Sequence, residues 1–118
     1  MLSKNLVILI GNLTADAEVT ALPSGSHAYS FGVATNWQTA KGAGVEFHDV
    51  KFYSPSDKLA AHLVKGKQVS IEGRLKKETW EKDGEPRSRR VIVAYRLDLG
   101  SSPSGNPEVS AQGEDAPF

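Results

Sequence analysis

The sequence predicts an all-β fold in which five strands close into a Greek-key barrel, with one short helix between the third and fourth strands. Apolar and polar residues alternate in several segments, turn-forming residues separate those segments, and one short stretch carries a helical apolar stripe instead. With 118 residues, of which 39% are hydrophobic, the chain can bury one core. We place a single domain at residues 1–100 and a flexible tail at 101–118.

The first two predicted strands cover residues 6–13 and 28–37. The first is an almost continuous apolar run interrupted by Gly11, which favours a bent strand buried on both sides. Residues 28–37 alternate in polarity, and the sequence Pro23-Ser24-Gly25 predicts the turn that precedes them. Residues 38–46 are polar and rich in glycine, so we expect a loop there.

The remaining strands are predicted at residues 47–53, 68–80 and 89–99. Residues 54–57 favour a helix start, and we expect the helix to end near Gly66, because glycine suits the left-handed exit. Asp83 and Gly84 predict a hairpin turn between the last two strands. This order of elements is that of the OB-fold, a barrel that binds oligonucleotides. SH3-like barrels and other small β folds remain alternatives.

Charge is unevenly distributed, although it sums to zero over the chain. Residues 1–100 hold all fourteen Lys and Arg residues and eleven of the fourteen acids, which leaves +3 there and −3 in the tail. Residues 65–96 hold ten bases against five acids. Such a basic half is compatible with phosphate binding, and on charge alone a merely solvated face is an equal alternative.

Aromatic and basic residues share one face in each of two predicted strands, opposite an apolar face that suits the core. The mixed faces consist of Phe47, Asp49, Lys51 and Tyr53 in one strand and of Ser70, Glu72, Arg74, Lys76, Glu78 and Trp80 in the next. The opposite faces consist of His48, Val50 and Phe52, and of Val69, Ile71, Gly73 and Leu75. Binding unpaired strands without sequence preference needs π-faces that stack bases, at about 1–3 kcal/mol each, and cations that follow the phosphates.

These faces therefore predict a surface for single-stranded nucleic acid, to which Trp37 adds an aromatic at a strand end. For a single aromatic residue, burial in the core is the competing interpretation. We reverse it for Trp80, because the other residues on its face are mostly charged or polar. Phe31 and Phe52 are expected in the core, and Tyr29 and Tyr95 are left open.

Other chemistries find little support in the sequence. There is no cysteine, the three histidines lack metal-ligand spacing, and Gly42-Ala43-Gly44 is not a phosphate-binding loop. The carboxylates are scattered, and none lies in an apolar setting that would raise its pKa. We therefore expect no enzymatic activity, no metal and no cofactor. The longest apolar run is far too short for a membrane span, and the N-terminus does not resemble a secretory signal.

Several segments together resemble the bacterial-type single-stranded DNA-binding proteins, over about residues 3–100 and again at the C-terminus. They are VILIGNL at 7–13, AEV at 17–19, ATNW at 34–37, EFH at 46–48, VKFY at 50–53, KLA at 58–60, LVKGKQV at 63–69, IEGRL at 71–75 with Trp80 beyond it, and EDAPF at 114–118. The IEGRL segment is the most specific of these matches.

The resemblance implies a homotetramer that binds single-stranded DNA in the cytoplasm, at the nucleoid, and protects it during replication, recombination and repair. It implies base stacking on Trp37, Phe47, Tyr53 and Trp80, and it places His48 near a subunit contact. We expect phosphate contacts from Lys51, Arg74, Lys76, Lys77 and Arg87. The tip residues implied to recruit replication and repair proteins are Glu114, Asp115, Pro117 and Phe118.

Three positions depart from the family pattern, since Leu6, Thr20 and Glu78 stand where bases help to hold phosphates. We expect weaker or more salt-sensitive binding as a result, with Lys51, Lys76, Lys77 and Arg87 as residues that could compensate. One alternative function is that of an OB-fold accessory protein, primosome-like or RNA-binding, which acts mainly through protein contacts. A small hydrolase or ligand-binding barrel is the other alternative, and it would need a convergent polar pocket.

Overall fold

The computed structural model of the chain describes residues 1–100 and the backbone of residues 110–112. Its strands are β1 (Val7–Leu13), β2 (Glu18–Ala21), β3 (His27–Thr39), β4 (Gly42–Ser54), β5 (Gln68–Lys82), β6 (Glu85–Leu99) and β7 (Ser110–Gln112), and one 3-10 helix (Lys58–Ala61) separates β4 from β5. Strand β1 pairs with both β3 and β5, β6 lies between β5 and β4, and β4 pairs with β3. These five strands close into an OB-fold barrel, which confirms the predicted fold class.

The core fills the barrel with side chains that alternate along its strands. Tyr29, Phe52, Ile71 and Leu97 are fully enclosed, and each buried apolar side chain contributes about 1.5–3 kcal/mol of transfer free energy. Tyr29, which the sequence left open, donates a hydrogen bond from its hydroxyl to the backbone carbonyl of Ser56. Burial raises the pKa of the Tyr29 hydroxyl, so this group stays protonated and keeps its role as a donor.

Strand β1 is buried on one side only. Gly11 and Leu13 face the core, whereas Ile8 and Ile10 are exposed, as is Leu6 just before the strand. The prediction of a strand buried on both sides was therefore wrong. The apolar character of residues on both faces of β1 suggested burial on both sides, but within this chain the barrel covers only one face.

Two long hairpins extend beyond the barrel. Strands β3 and β4 pair continuously from His27–Ser54 to Thr39–Gly42, so the loop predicted at residues 38–46 was wrong and the turn there is only two residues long. In the β5–β6 hairpin, Asp83 and Gly84 form the predicted turn, with φ angles of 54° and 78°. The outer part of each hairpin is therefore not packed against the core and is mostly exposed.

Strand β5 leaves the barrel at an irregularity in its pairing with β6. Glu72 pairs with Arg96, but the next residue, Gly73, pairs with Ala94. Leu75 follows and is 39% exposed, so its predicted place in the core was wrong. The side chain of Asn5 fixes this part of β5, since its amide donates to the Leu75 carbonyl at 2.7 Å and its oxygen accepts from the Leu75 amide at 2.8 Å.

The remaining elements are short. The helix is a single 3-10 turn, shorter than predicted, and it places Leu59 in the core. Strand β2, which was not predicted from the sequence, pairs with the first part of β3. Strand β7 pairs with residues 96–98 of β6 and lies within the predicted tail. The predicted tip residues of that tail lie outside the described residues, and no helix in the described part of the chain is long and apolar enough to cross a membrane.

Candidate nucleic-acid interface

Most of the predicted binding residues share one surface, which we call the outer face. It is the side of β4, β6 and β5 that is turned away from the core, and neighbouring strands can be followed across it because directly paired residues project from the same side of a sheet. Lys51 and Arg74 both pair with Val93, and Trp80 pairs with Arg87. The predicted site residues on the outer face are Phe47, Lys51, Tyr53, Arg74, Lys76, Trp80 and Arg87.

Three of the predicted stacking residues stand on the outer face. Phe47 is 73% exposed and Trp80 is 45% exposed, whereas Tyr53 is half-buried. Phe47 and Tyr53 lie six residues apart on β4, which corresponds to about 20 Å along an extended strand. Since burial does not explain the position of Phe47 or Trp80, their π-faces are available to a ligand.

Trp37 is exposed on the opposite face of the β3–β4 hairpin. Trp37 pairs directly with Gly44. Gly44 is three residues from Phe47 on β4, so the two lie on opposite faces of the strand. The Trp37 indole lies so close to the Gly44 backbone that a Cβ at residue 44 would approach the indole Cζ2 to 2.6 Å. Trp37 is nonetheless 43% exposed, because the hairpin here extends past the barrel. The structure therefore does not bring Trp37 onto the outer face.

The free edge of β5 forms a groove beside Trp80. Strand β1 pairs with β5 only as far as Gly73, which leaves the later part of this edge without a neighbouring strand in the described part of the chain. The groove is an open cavity of about 410 Å³ lined by Lys76, Lys77, Glu78, Thr79 and Trp80. Lys77 pairs with Arg90 and so projects from the other face of the hairpin, but it reaches the same groove from that side.

A chain of charged groups crosses the outer face. The Lys51 ammonium donates to Glu78 Oε2 at 2.7 Å, and Arg89 Nε lies 3.4 Å from Glu78 Oε1. Arg89 Nη1 also lies 3.8 Å from Asp49 Oδ2. The hydrogen bond from Lys51 is the main cause that lowers the pKa of Glu78, with Arg89 adding to it. Glu78 thus stands between two cations of the face.

This arrangement changes the predicted role of Lys51 and adds Arg89 to the candidate site. Lys51 was expected to help to compensate for the missing bases at positions 6, 20 and 78, but its ammonium is already bound to the Glu78 carboxylate. Arg89 was not among the predicted site residues. The sequence does contain a signal for Arg89, because Arg87 and Arg89 are two residues apart and so share one face of β6. The register of the hairpin then pairs Arg89 with Glu78.

His48 lies half-buried on the core side of β4. Its Nε2 is 2.9 Å from the hydroxyl oxygen of Thr35 on β3. The predicted location near a subunit contact stays a prediction. Among the described residues, no three His, Asp or Glu side chains converge in a way that could hold a metal ion.

Comparison with known proteins identifies the family to which this chain is similar. Residues 4–99 match the model of the single-strand binding protein family. The single-stranded DNA-binding protein of Helicobacter hepaticus is 44% identical over 86% of this chain and 65% of its own length. Those of Wolinella succinogenes and Treponema pallidum are 38% and 34% identical, over 94% and 100% of this chain and 72% and 68% of their own lengths. The chain therefore spans about two thirds of the length of these relatives.

A solved structure shows the same fold. The chain of a Plasmodium falciparum SSB complex with ssDNA superimposes with a TM-score of 0.71 at 24% identity, over 84% of this chain and 95% of that one. The family match and the sequence relatives together establish the relationship. The chain belongs to the single-strand binding protein family.

Proposed function

We propose that this protein binds single-stranded DNA without sequence specificity and acts as a binding module rather than as an enzyme. The observation that carries the proposal is the outer face, where the exposed rings of Phe47 and Trp80 accompany Lys76 and Arg87 on one sheet surface. Rings stack on every base, and cations neutralise a backbone of any sequence. The names of the relatives, all single-stranded DNA-binding proteins, support this function.

Base stacking is assigned to Phe47, Tyr53 and Trp80 on the outer face and to Trp37 on the opposite face of the β3–β4 hairpin. A single DNA strand that contacts both Phe47 and Trp37 must bend around this hairpin. Because both residues are exposed and the hairpin stands clear of the barrel, its surface is open to such a path.

Phosphate contacts are assigned to Arg74, Lys76, Lys77 and Arg87. Arg74, Lys76 and Arg87 share the outer face, and Lys77 reaches the groove beside Trp80 from the other side. Lys51 lies on the same face, but its ammonium already binds the Glu78 carboxylate, with which a phosphate would have to compete. Together these residues place cations next to the rings, as nonspecific binding of single strands requires.

We also propose that the protein is a homotetramer whose contacts include β1. Beyond its pairing with β5, this strand has only Asn12 and Leu13 paired with β3, so one edge of residues 7–11 has no strand partner in the described part of the chain. Ile8 and Ile10 are exposed beside that edge. An unpaired edge flanked by apolar side chains is a template for pairing with a second copy.

The C-terminal tip, with Glu114, Asp115, Pro117 and Phe118, is proposed to recruit replication and repair proteins. Its support is the resemblance of the EDAPF sequence to the tip of the family. We propose that the protein protects single-stranded DNA during replication, recombination and repair, at the nucleoid in the cytoplasm.

The test of DNA binding is a titration with poly(dT) followed by tryptophan fluorescence. Stacking on Trp37 and Trp80 should quench the emission strongly, and duplex DNA of equal length should do little. Poly(U) as a third ligand separates the accessory RNA-binding alternative, which predicts preferential binding of RNA. Equal responses to single-stranded and duplex DNA, or none to either at low salt, would overturn the proposal.

A further inference from the structure

Glu78 is the central group of an ion-pair chain that links all three strands of the outer face. Lys51 belongs to β4, Arg89 to β6 and Glu78 to β5, and the carboxylate uses a different oxygen for each cation. The Lys51 and Glu78 side chains are only 24% and 21% exposed, so this contact is screened less than an ordinary surface pair. The two cations are therefore held by the protein before any ligand arrives.

From this geometry we infer that Glu78 acts as an internal competitor of DNA phosphate and thereby sets the affinity of the outer face. This inference rests on the proposed function. A phosphate oxygen and the Glu78 carboxylate compete for the positive charges of Lys51 and Arg89. A nucleotide that takes a donor must displace Glu78 or leave its carboxylate beside a phosphate, and either outcome offsets part of the gain in binding.

The salt dependence of binding reports this competition directly. Each phosphate neutralised by a cation on a single strand contributes about −0.7 to the slope of log K against log salt concentration. A cation already neutralised by Glu78 contributes less to counterion release. Removing the carboxylate should free Lys51, while Arg89 keeps Asp49 as a partner at 3.8 Å. The slope should therefore steepen by about 0.7, which corresponds to one additional phosphate contact.

The experiment compares the full chain with the Glu78→Gln, Lys51→Ala and double variants, using a dT oligonucleotide at a series of salt concentrations. Glu78→Gln should bind several-fold more tightly at low salt and with the steeper slope. The effect of Lys51→Ala should be clearly larger in the Glu78→Gln background than in the unchanged protein. This non-additivity distinguishes a freed lysine from the general effect of removing one negative charge.

Glu81→Gln is the matched control, since it removes the same charge from the same strand. Within the described residues the Glu81 carboxylate forms no ion pair with Lys51 or Arg89, so its effect should add to that of Lys51→Ala. Circular dichroism checks the fold, and Glu78→Thr serves as a second variant if Glu78→Gln unfolds.

Additive effects of Glu78→Gln and Lys51→Ala, or an unchanged slope in Glu78→Gln, would overturn the inference while the unchanged protein still binds dT. Failure of the unchanged protein to bind dT would instead overturn the proposed function.

Discussion

The Trp37 indole lies against the backbone of Gly44, its direct partner across the β3–β4 hairpin. A side chain at Gly44 would occupy the space of the indole, since a Cβ there would come within 2.6 Å of Cζ2. The position of this exposed ring is therefore defined by a residue that has no side chain.

Replacing Gly44 with Ala should displace the Trp37 ring and weaken binding of dT, up to the loss of one stacked base, about 1–3 kcal/mol. Fluorescence titrations of Gly44→Ala and Trp37→Ala with dT test this, and the two variants should lose similar amounts of binding free energy. Ala43→Ser, one residue away, is the control and should bind as the unchanged protein does. Normal affinity and quenching in Gly44→Ala would contradict the proposed role of this contact.

Replacing Trp80 with Ala should cost about 1–3 kcal/mol of binding free energy per site, because the side chain is exposed and its loss removes a stacking surface. Trp80→Phe keeps a π-face and should retain most of the affinity. The measurement is a dT titration monitored by anisotropy of labelled DNA. A loss that is equally large in both variants would show that Trp80 acts through something other than its ring face.

Acid should remove the contribution of the Glu78 ion pairs to stability. Because the pKa of Glu78 in the folded state is lowered from its ordinary value of 4.5, this contribution is fully present above about pH 4.5 and is lost as the pH falls through the lowered pKa. The difference in unfolding free energy between the unchanged protein and Glu78→Gln should therefore stay constant from neutral pH down to about pH 4.5 and shrink as the pH falls further. Urea denaturation at fixed protein concentration measures it, and a difference that does not shrink at acid pH would contradict the assignment.

A charge at Ile10 should disrupt self-association without unfolding the barrel, because this side chain is exposed beside the unpaired edge of β1. Sedimentation of Ile10→Asp should show a smaller species than the unchanged protein, with the circular dichroism of the fold retained. Val19→Asp is the control, since Val19 is an exposed apolar residue on a different strand. If both variants sediment like the unchanged protein, β1 is not part of the contact.

The features that the sequence predicted well depend on local chemistry. The turn at Asp83 and Gly84 follows from two residues that tolerate positive φ, and the exposure of Trp80 follows from charged neighbours on its face. The order of the main strands and the single helix between β4 and β5 follow from turn signals and from the two periodicities.

The features that it missed depend on partners distant in the chain. Residues 38–46 are strand except for the two-residue turn at 40–41, because each strand of the β3–β4 hairpin supplies the other with backbone partners, which overrides weak strand propensity. Leu75 is exposed because β5 has left the barrel by that point. Lys51 and Glu78 are 27 residues apart, so no local pattern could show their bond.

The predicted weaker or more salt-sensitive binding remains untested, but the structure separates its two parts. Cations neutralised within the protein release fewer counterions, which lowers affinity and also flattens the salt dependence. The bond between Lys51 and Glu78 therefore favours weaker binding with a shallower slope over greater salt sensitivity.

Because both hairpins extend past the barrel, most residues in their outer parts do not pack against the core. Selection can therefore alter residues such as Lys76, Lys77 or Trp80 in response to a new ligand while the folded barrel is left intact. In this protein, tuning of DNA affinity and preservation of the fold are largely separate evolutionary problems.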